Sequence, residues 1–238
     1  RAKAIACSRR LSARPQESIE YMTDFNSLKL AAPLMKALGH EGYTIPTPIQ
    51  AQAIPIIMGG ADLMGIAQTG TGKTAAFALP ILNRLNQTPG SMAPRKGARV
   101  LVLAPTRELA SQIADAFRAL GRFMELNVIT VFGGVPVNRQ IRQLHNGVDV
   151  MVATPGRLLD LIDQKACTLS GVEILVLDEA DQMLDLGFIH DLKRINALVP
   201  RRRQTLFFSA TMPAPIIELS RAFLNAPETV SVAPAASV

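Results

Sequence analysis

One stretch, Ala67-Gln68-Thr69-Gly70-Thr71-Gly72-Lys73-Thr74, limits what this chain can fold into more than any other. A short apolar run, Leu63-Met64-Gly65-Ile66, precedes it, and a helix-forming run, Ala75-Ala76-Phe77-Ala78-Leu79, follows. A glycine-rich turn between a strand and a helix is the setting in which a phosphate-binding loop works. Gly70 and Gly72 let backbone N–H groups close on phosphate oxygens. The helix start adds unpaired donors and a partial positive charge. Lys73 supplies a mobile cation for the outer phosphates and Thr74 a hydroxyl for Mg²⁺. The strict pattern opens with glycine, and here that position is Ala67. The plain alternative is a glycine-rich turn before a helix that binds nothing.

The remaining chain alternates in the same way. Apolar, β-branched runs predict strands at Arg99–Ala104, Asn127–Phe132, Asp149–Ala153, Glu173–Leu177 and Gln204–Phe208, with an edge strand over 227–232. Helical spacing predicts helices from Leu28 to Leu38, Ile49 to Met58 with a bend at Pro55, Thr106 to Phe123, Val137 to Leu144, after Pro155, Ile189 to Leu198, and Pro213 to Leu224. Residues 87–97 read as a Pro/Gly/Ser-rich loop. Alternation of this kind implies an α/β fold with a mostly parallel central sheet covered by helices on both faces. The polar candidates repeatedly follow a strand, at the edge where an open α/β sheet binds ligands.

Composition narrows the function classes. No uninterrupted apolar run approaches the ~20 residues a membrane helix needs, so no membrane role is expected. Cys7 and Cys167 form neither a disulfide framework nor a metal-ligand spacing, which reads as a reduced cytoplasmic protein. His40, His145 and His190 are scattered and not spaced as a metal set. The formal charge is +6, but Arg1, Lys3, Arg9, Arg10 and Arg14 lie in the first sixteen residues, which hold no acid. The remaining 20 basic residues face 19 acidic ones, so a nucleic-acid site must be argued locally. Residues 1–24 read as a basic tail: either plain or upstream sequence before Met22, or an organelle transit peptide. Arg201-Arg202-Arg203 reads as a solvated loop in preference to an RNA contact.

Two further segments carry chemistry. Thr47 and Pro48 form a helix start, with Gln50 in the first turn. A glutamine amide can accept from the exocyclic amine of adenine and donate to its N7, a pair guanine does not offer; Tyr43 could stack on the base. The bland reading is a solvated Gln50 and a core-edge Tyr43. Asp178 closes a buried strand, where it can hold the water shell of a nucleotide-bound Mg²⁺, and Glu179 can orient the attacking water.

Asp178-Glu179-Ala180-Asp181 spells DEAD. With Gln50, AQTGTGKT, PTREL, TPGR and Ser209-Ala210-Thr211 in this order, the chain resembles the DEAD-box RNA helicases over residues 25 to 232. Its style is similar to bacterial members near the RhlE group. Ala67 is the family's usual form. The resemblance implies the N-terminal RecA-like domain, with ATP or ADP and Mg²⁺ as ligands and RNA as partner. It implies ATP contacts from Phe25, Tyr43, Gln50, Gln68, Thr69, Gly70, Thr71, Gly72, Lys73 and Thr74. Catalysis would fall to Lys73, Asp178 and Glu179, with Mg²⁺ held by Thr74 and Asp178, partly through water. Asp181, Ser209 and Thr211 would couple nucleotide state to RNA grip. Pro105, Thr106, Arg107, Gly133, Gly134, Thr154, Pro155, Gly156 and Arg157 would bind the RNA backbone. Without the family, Thr106 and Thr154 read as helix caps, Gly133-Gly134 as a turn and Arg157 as a surface ion pair.

In this family a second RecA-like domain supplies arginines to the γ-phosphate. The sequence holds no second such motif, and residues 233–238 read as the start of a linker. The expectation is a monomeric first domain that binds nucleotide with little ATPase alone. Two other classes remain: a P-loop NTPase that ignores RNA, and a non-enzymatic RNA-binding module. The second is poorly supplied with stacking residues, having no Trp and two Tyr, and carries no RRM signature.

Overall fold

The computed structural model describes residues 24–88 and 93–232. The basic tail, the middle of the 87–97 loop and the linker start therefore fall wholly or largely outside the described residues.

Seven strands form one sheet in the order β3-β4-β2-β5-β6-β1-β7. They are β1 (Leu63–Ile66), β2 (Ala98–Leu103), β3 (Val128–Val131), β4 (Val148–Ala153), β5 (Ile174–Leu177), β6 (Gln204–Ser209) and β7 (Glu228–Ser231). Every pairing is parallel, so the expected mostly parallel sheet is wholly parallel. Strand side chains alternate between two cores. Val100, Val102, Ile174, Val176, Leu206 and Phe208 face one; Leu101, Leu103, Leu175, Leu177 and Phe207 face the other. Both faces are buried, which is why these strands read as continuous apolar runs.

Helices α1 (Ala32–His40), α2 (Pro48–Met58), α3 (Lys73–Gln87) and α4 (Arg107–Leu120) contribute to the first core. Phe77 of α3 bridges Phe117 and Phe208, with ring centroids 6.1 and 5.4 Å away. Gly65 makes room for the last: a Cβ there would lie 2.5 Å from the Phe208 ring. Helices α5 (Val137–Leu144), α6 (Pro155–Asp163), α7 (Ala180–Asp185), α8 (Ile189–Leu198) and α9 (Ala214–Phe223) contribute to the second.

Two local expectations change and one holds. The helix read from Leu28 is two elements, a 3₁₀ turn at Phe25–Leu28 and then α1, separated by left-handed Lys29 (φ 52°). Asp24 caps the first, and Pro33 opens the second. Helix α2 runs through Pro55 to Met58, as expected. Helix α7, six residues directly after Glu179, is too short to show a period and was not expected from the sequence.

Between β1 and β2 the chain crosses over β6 and β5, which leaves the phosphate loop toward the β1–β7 end of the candidate edge. Along the ends of the strands the motifs then follow in spatial order: Gly133-Gly134 after β3, Thr154–Arg157 after β4, Pro105–Arg107 after β2, Asp178-Glu179 after β5, Ser209–Thr211 at β6, and the loop after β1. The RNA candidates occupy one half of this edge and the nucleotide candidates the other.

Candidate nucleotide and RNA site

The nucleotide half is a connected network. Lys73, the first residue of α3, is 5% exposed, and its Nζ lies 3.7 Å from Asp178 Oδ1. That separation is an ion pair without a hydrogen bond, so the buried ammonium has no hydrogen-bond acceptor. Burial pushes the Asp178 carboxyl up to about 6; the Lys73 charge opposes this and the Glu179 charge adds to it. Glu179 has a left-handed backbone (φ 53°, ψ 53°), uncommon for a residue with a side chain. There its N–H donates to Asp178 Oδ1 (3.0 Å), and its own Oε1 accepts from Thr69 Oγ1 (2.8 Å). The loop is also tied internally, Thr71 Oγ1 donating to the Gln68 carbonyl (2.7 Å). Gln68 and Gly70 are exposed, and Thr74 is half-buried.

Gln50 is 1% exposed. Its Oε1 accepts from Thr47 N–H (3.0 Å), and its Nε2 donates to the Gly72 carbonyl (3.2 Å). Helix α2 is thereby fastened to the phosphate loop. Gly72 has φ 91°, and a Cβ on it would sit 2.6 Å from Gln50 Nε2 and 2.9 Å from Thr47 Oγ1. Thr47, whose buried hydroxyl has no partner, thus belongs to this site although sequence reasoning saw it only as a cap. Tyr43 is 38% exposed and stands edge-on to Phe25, with centroids 6.2 Å apart. Phe25 itself is 2% exposed and sits in the core; its place is beneath Tyr43.

Asp181 bridges β5 and β6. Its Oδ2 accepts from both Thr211 N and Thr211 Oγ1, each at 2.9 Å, while Ser209 Oγ donates to the Thr211 carbonyl (2.7 Å). Burial raises the Asp181 pKa, but the hydrogen bonds from Thr211, Ser209 and Gln182 outweigh it and hold the carboxyl below its ordinary value. The Ser209 carbonyl also accepts from Ala67 N–H (3.1 Å), so the coupling segment abuts the phosphate loop.

The RNA half is organised differently. Thr106 caps α4, its hydroxyl accepting from Leu109 N–H (3.2 Å). Thr154 precedes α6 and is buried, with no side-chain cap bond. Pro105 and Pro155 are buried; Arg107 and Gly156 are exposed. Arg107 lies 5.5 Å from the Phe132 ring and against Gly134, where a Cβ would meet its Nη1 at 2.3 Å. With φ 78° as well, Gly134 has two reasons to be glycine. Arg157 donates to the Val135 carbonyl (3.2 Å) and pairs with Asp160 at 3.4 Å. Two arginines from different helices therefore hold the turn after β3, and the starts of α4 and α6 leave N–H donors on the same edge.

A profile of the DEAD/DEAH box helicase family matches residues 47–219, most of the folded part and every motif above from Gln50 to Thr211, with Phe25 and Tyr43 preceding it. The chain belongs to this family. It is 46% identical over 214 residues to the ATP-dependent RNA helicase DeaD of Escherichia coli (strain K12), covering 90% of this chain and 33% of that one. It is 46% identical over 208 residues to the RNA helicase CrhR of Synechocystis, covering 87% and 41%. The crystal structure of a DEAD box protein from the hyperthermophile Methanococcus jannaschii superposes with a TM-score of 0.80 at 34% identity, over 88% of this chain and 56% of that one. The fold is thus the RecA-like domain of DEAD-box proteins, and the chain spans less than half the length of the curated relatives it matches. Ala67 opens the phosphate loop of a family member, and Asp178–Asp181 are its DEAD segment.

Proposed function

We propose that residues 25–232 form the N-terminal ATP- and RNA-binding core of an ATP-dependent RNA helicase. The whole protein would couple ATP binding and hydrolysis to local opening of RNA duplexes or remodelling of RNA–protein complexes. The observation that carries this reading is Lys73: a buried ammonium without a hydrogen-bond acceptor, at the start of a helix and behind a glycine turn. Such a group costs stability unless something anionic completes it, and a nucleotide phosphate fits that need.

In this reading the loop N–H groups and Lys73 hold the phosphates, Gln50 and Tyr43 select and cover adenine, and Phe25 supports Tyr43. The donor set for Mg²⁺ is a hydroxyl and a carboxylate, Thr74 and Asp178, which suits a hard cation that keeps part of its water shell. When bound, that ion neutralises charge on the phosphate oxygens. Glu179 orients the attacking water and accepts its proton; the Thr69 hydroxyl, now on Glu179, has to release it first. Asp181, Thr211 and Ser209 carry the state of the phosphate site to β6. RNA lies along the other half of the edge, against the N–H groups of α4 and α6, Gly133, Gly156 and Arg107. Such contacts follow the backbone without a base code, and the ribose 2′-OH distinguishes RNA from DNA.

The chain holds one such domain. Arginine fingers from a partner domain contribute ~10³- to 10⁵-fold in phosphoryl transfer, so nucleotide binding with little ATPase is expected of this chain alone. Robust RNA-stimulated hydrolysis by it would contradict the proposal. A cytoplasmic, monomeric protein is part of the same reading; among the described residues no helix is long and apolar enough to cross a membrane.

Titration calorimetry with ADP and GDP tests the site directly. ADP should bind and GDP should not. Lys73→Ala should weaken ADP on the order of a hundredfold, the scale of losing a buried charge-assisted contact, and Gln50→Ala should weaken ADP and narrow the ADP/GDP difference. Equal binding of ADP and GDP would remove Gln50 from base selection.

A further inference from the structure

The opposite edge of the sheet carries a second concentration of positive charge. An open cavity of about 500 Å³ lies where β5 and β6 begin, bordered by Gly60, Arg84, Ser170, Glu173, Arg202 and Arg203. It adjoins another of about 320 Å³ that shares Gly60 and Arg84 with it. Among the described residues the only carboxylate on the first cavity's wall is Glu173. Its Oε1 meets Arg99 Nε at 2.7 Å, and its Oε2 lies 3.7 Å from Arg84 Nη2. Asp62 accepts from Thr205 N–H and Asn225 N–H, both at 2.7 Å, and its charge also acts on Arg203.

Two carboxylates, Glu173 and Asp62, therefore answer four arginines, Arg84, Arg99, Arg202 and Arg203, which leaves positive charge in surplus. Arg202 is exposed and has no hydrogen bond or ion pair to any described residue. Arg203 is held in place by the Pro200 carbonyl (2.8 Å) and Asn196 Oδ1 (2.6 Å), while its Nε is buried without a partner. The tripeptide that reads as a solvated loop in sequence is thus partly built into a rigid wall. Fixed guanidinium groups with surplus charge in a concave site bind phosphate.

We propose that this cavity is a second phosphate-binding site, which holds RNA backbone beyond the segment gripped at the motif-bearing edge. This rests on the reading of the chain as an RNA-binding domain. At ~3.3 Å per residue, four- to six-residue strands separate the two edges by roughly 13–20 Å. An oligonucleotide of about five nucleotides, ~17 Å long when stacked at ~3.4 Å per nucleotide, is taken up by the first edge and cannot also reach it, whereas a long strand or structured RNA can.

The test is fluorescence anisotropy at several salt concentrations with oligouridine of about five and about forty nucleotides. It compares the chain with its Arg84→Ala/Arg202→Ala variant. For the long RNA the variant should lose on the order of tenfold in affinity, with a log–log salt slope shallower by about 1.4, since each single-strand phosphate contact contributes ~0.7. For the short RNA both proteins should bind alike. Arg202→Glu, at an exposed position with no partner to lose, should weaken long-RNA binding in the same direction and without change in melting temperature. Unchanged long-RNA affinity and slope overturns the proposal, as does an equal loss for short and long RNA. If the short RNA fails to bind the unmodified chain, the RNA half-site on the motif edge fails by itself, and the long-RNA comparison still decides the cavity.

Discussion

The two halves of the motif-bearing edge are built on the same scaffold and prepared to different degrees. In the nucleotide half, side chains from distant segments already touch: Gln50 on Gly72, Lys73 against Asp178, Thr69 on Glu179, Asp181 on Thr211. In the RNA half, the side-chain bonds are mostly local or structural: Thr106 caps its own helix, and Arg157 braces a neighbouring turn. What faces outward there is largely backbone N–H and glycine. Under the proposed function the difference follows from the ligands. A small, highly charged nucleotide needs buried, pre-placed charges, which cost stability. An extended backbone needs a smooth surface with donors at intervals, which costs little. Substitutions in the first half should therefore change stability strongly, and those in the second weakly.

The strongest expected departure is at Asp178. Its folded carboxyl titrates at about 6 against an ordinary 3.8. A raised carboxyl pKa means that the folded state binds more protons, so this group's contribution to stability falls as pH rises from about 4 to about 6. Asp178→Asn should consequently gain on the wild type by about 2–3 kcal/mol over that window, measured by urea unfolding at each pH. A pH-independent difference would mean that Lys73 fully compensates the buried charge. Asp181 works in the opposite sense. Its depressed pKa contributes stability that is present above the ordinary carboxylate value and lost as pH falls through the folded one.

Gly72→Ala comes next. It combines a left-handed backbone with a Cβ 2.6 Å from Gln50, and should destabilise by about 2 kcal/mol on thermal or urea unfolding. Thr106→Ala removes one helix cap and should cost about 1 kcal/mol; a larger loss would show that the RNA half is more tightly integrated than its contacts imply. Gly133→Ala should be the mildest. A Cβ there meets nothing within 4 Å, and its φ is not among the positive ones, so stability should stay within about 0.5 kcal/mol. If Gly133→Ala is as damaging as Gly72→Ala, the contrast between the two halves is wrong.

Much of the fold was legible because both-face burial imposes a simple code. The runs at β2, β4, β5 and β6 keep their polar residues, Arg99, Asp149, Gln204 and Thr205, in the first two positions, are apolar beyond them, and each ends at a polar motif. Helix α5 also matches its predicted bounds, Val137–Leu144. The break at Lys29 was hidden because the apolar spacing runs unbroken across it, while the chain folds back under Asp24 and restarts at Pro33. Helix α7 was hidden by its length. Phe25 is a different case: its family position is readable, but only packing shows that its ring is buried and stands edge-on to Tyr43.

From the order of residues alone came the alternating α/β plan, the phosphate loop, the DEAD segment and the set of strand-end motifs, because each depends on neighbours within about ten positions. Tertiary structure alone decided which of these meet. The sheet order β3-β4-β2-β5-β6-β1-β7 separates the motifs into two halves, sets Asp178 facing Lys73 across more than a hundred residues, and gathers Arg84, Arg202 and Arg203 around one cavity on the far edge. The physical reason is burial. Charge and hydrogen-bonding capacity belong to residue types and can be read in a row of letters. Whether an ammonium is paired, a carboxyl is pushed up, or an arginine is left in surplus depends on what the fold packs around it.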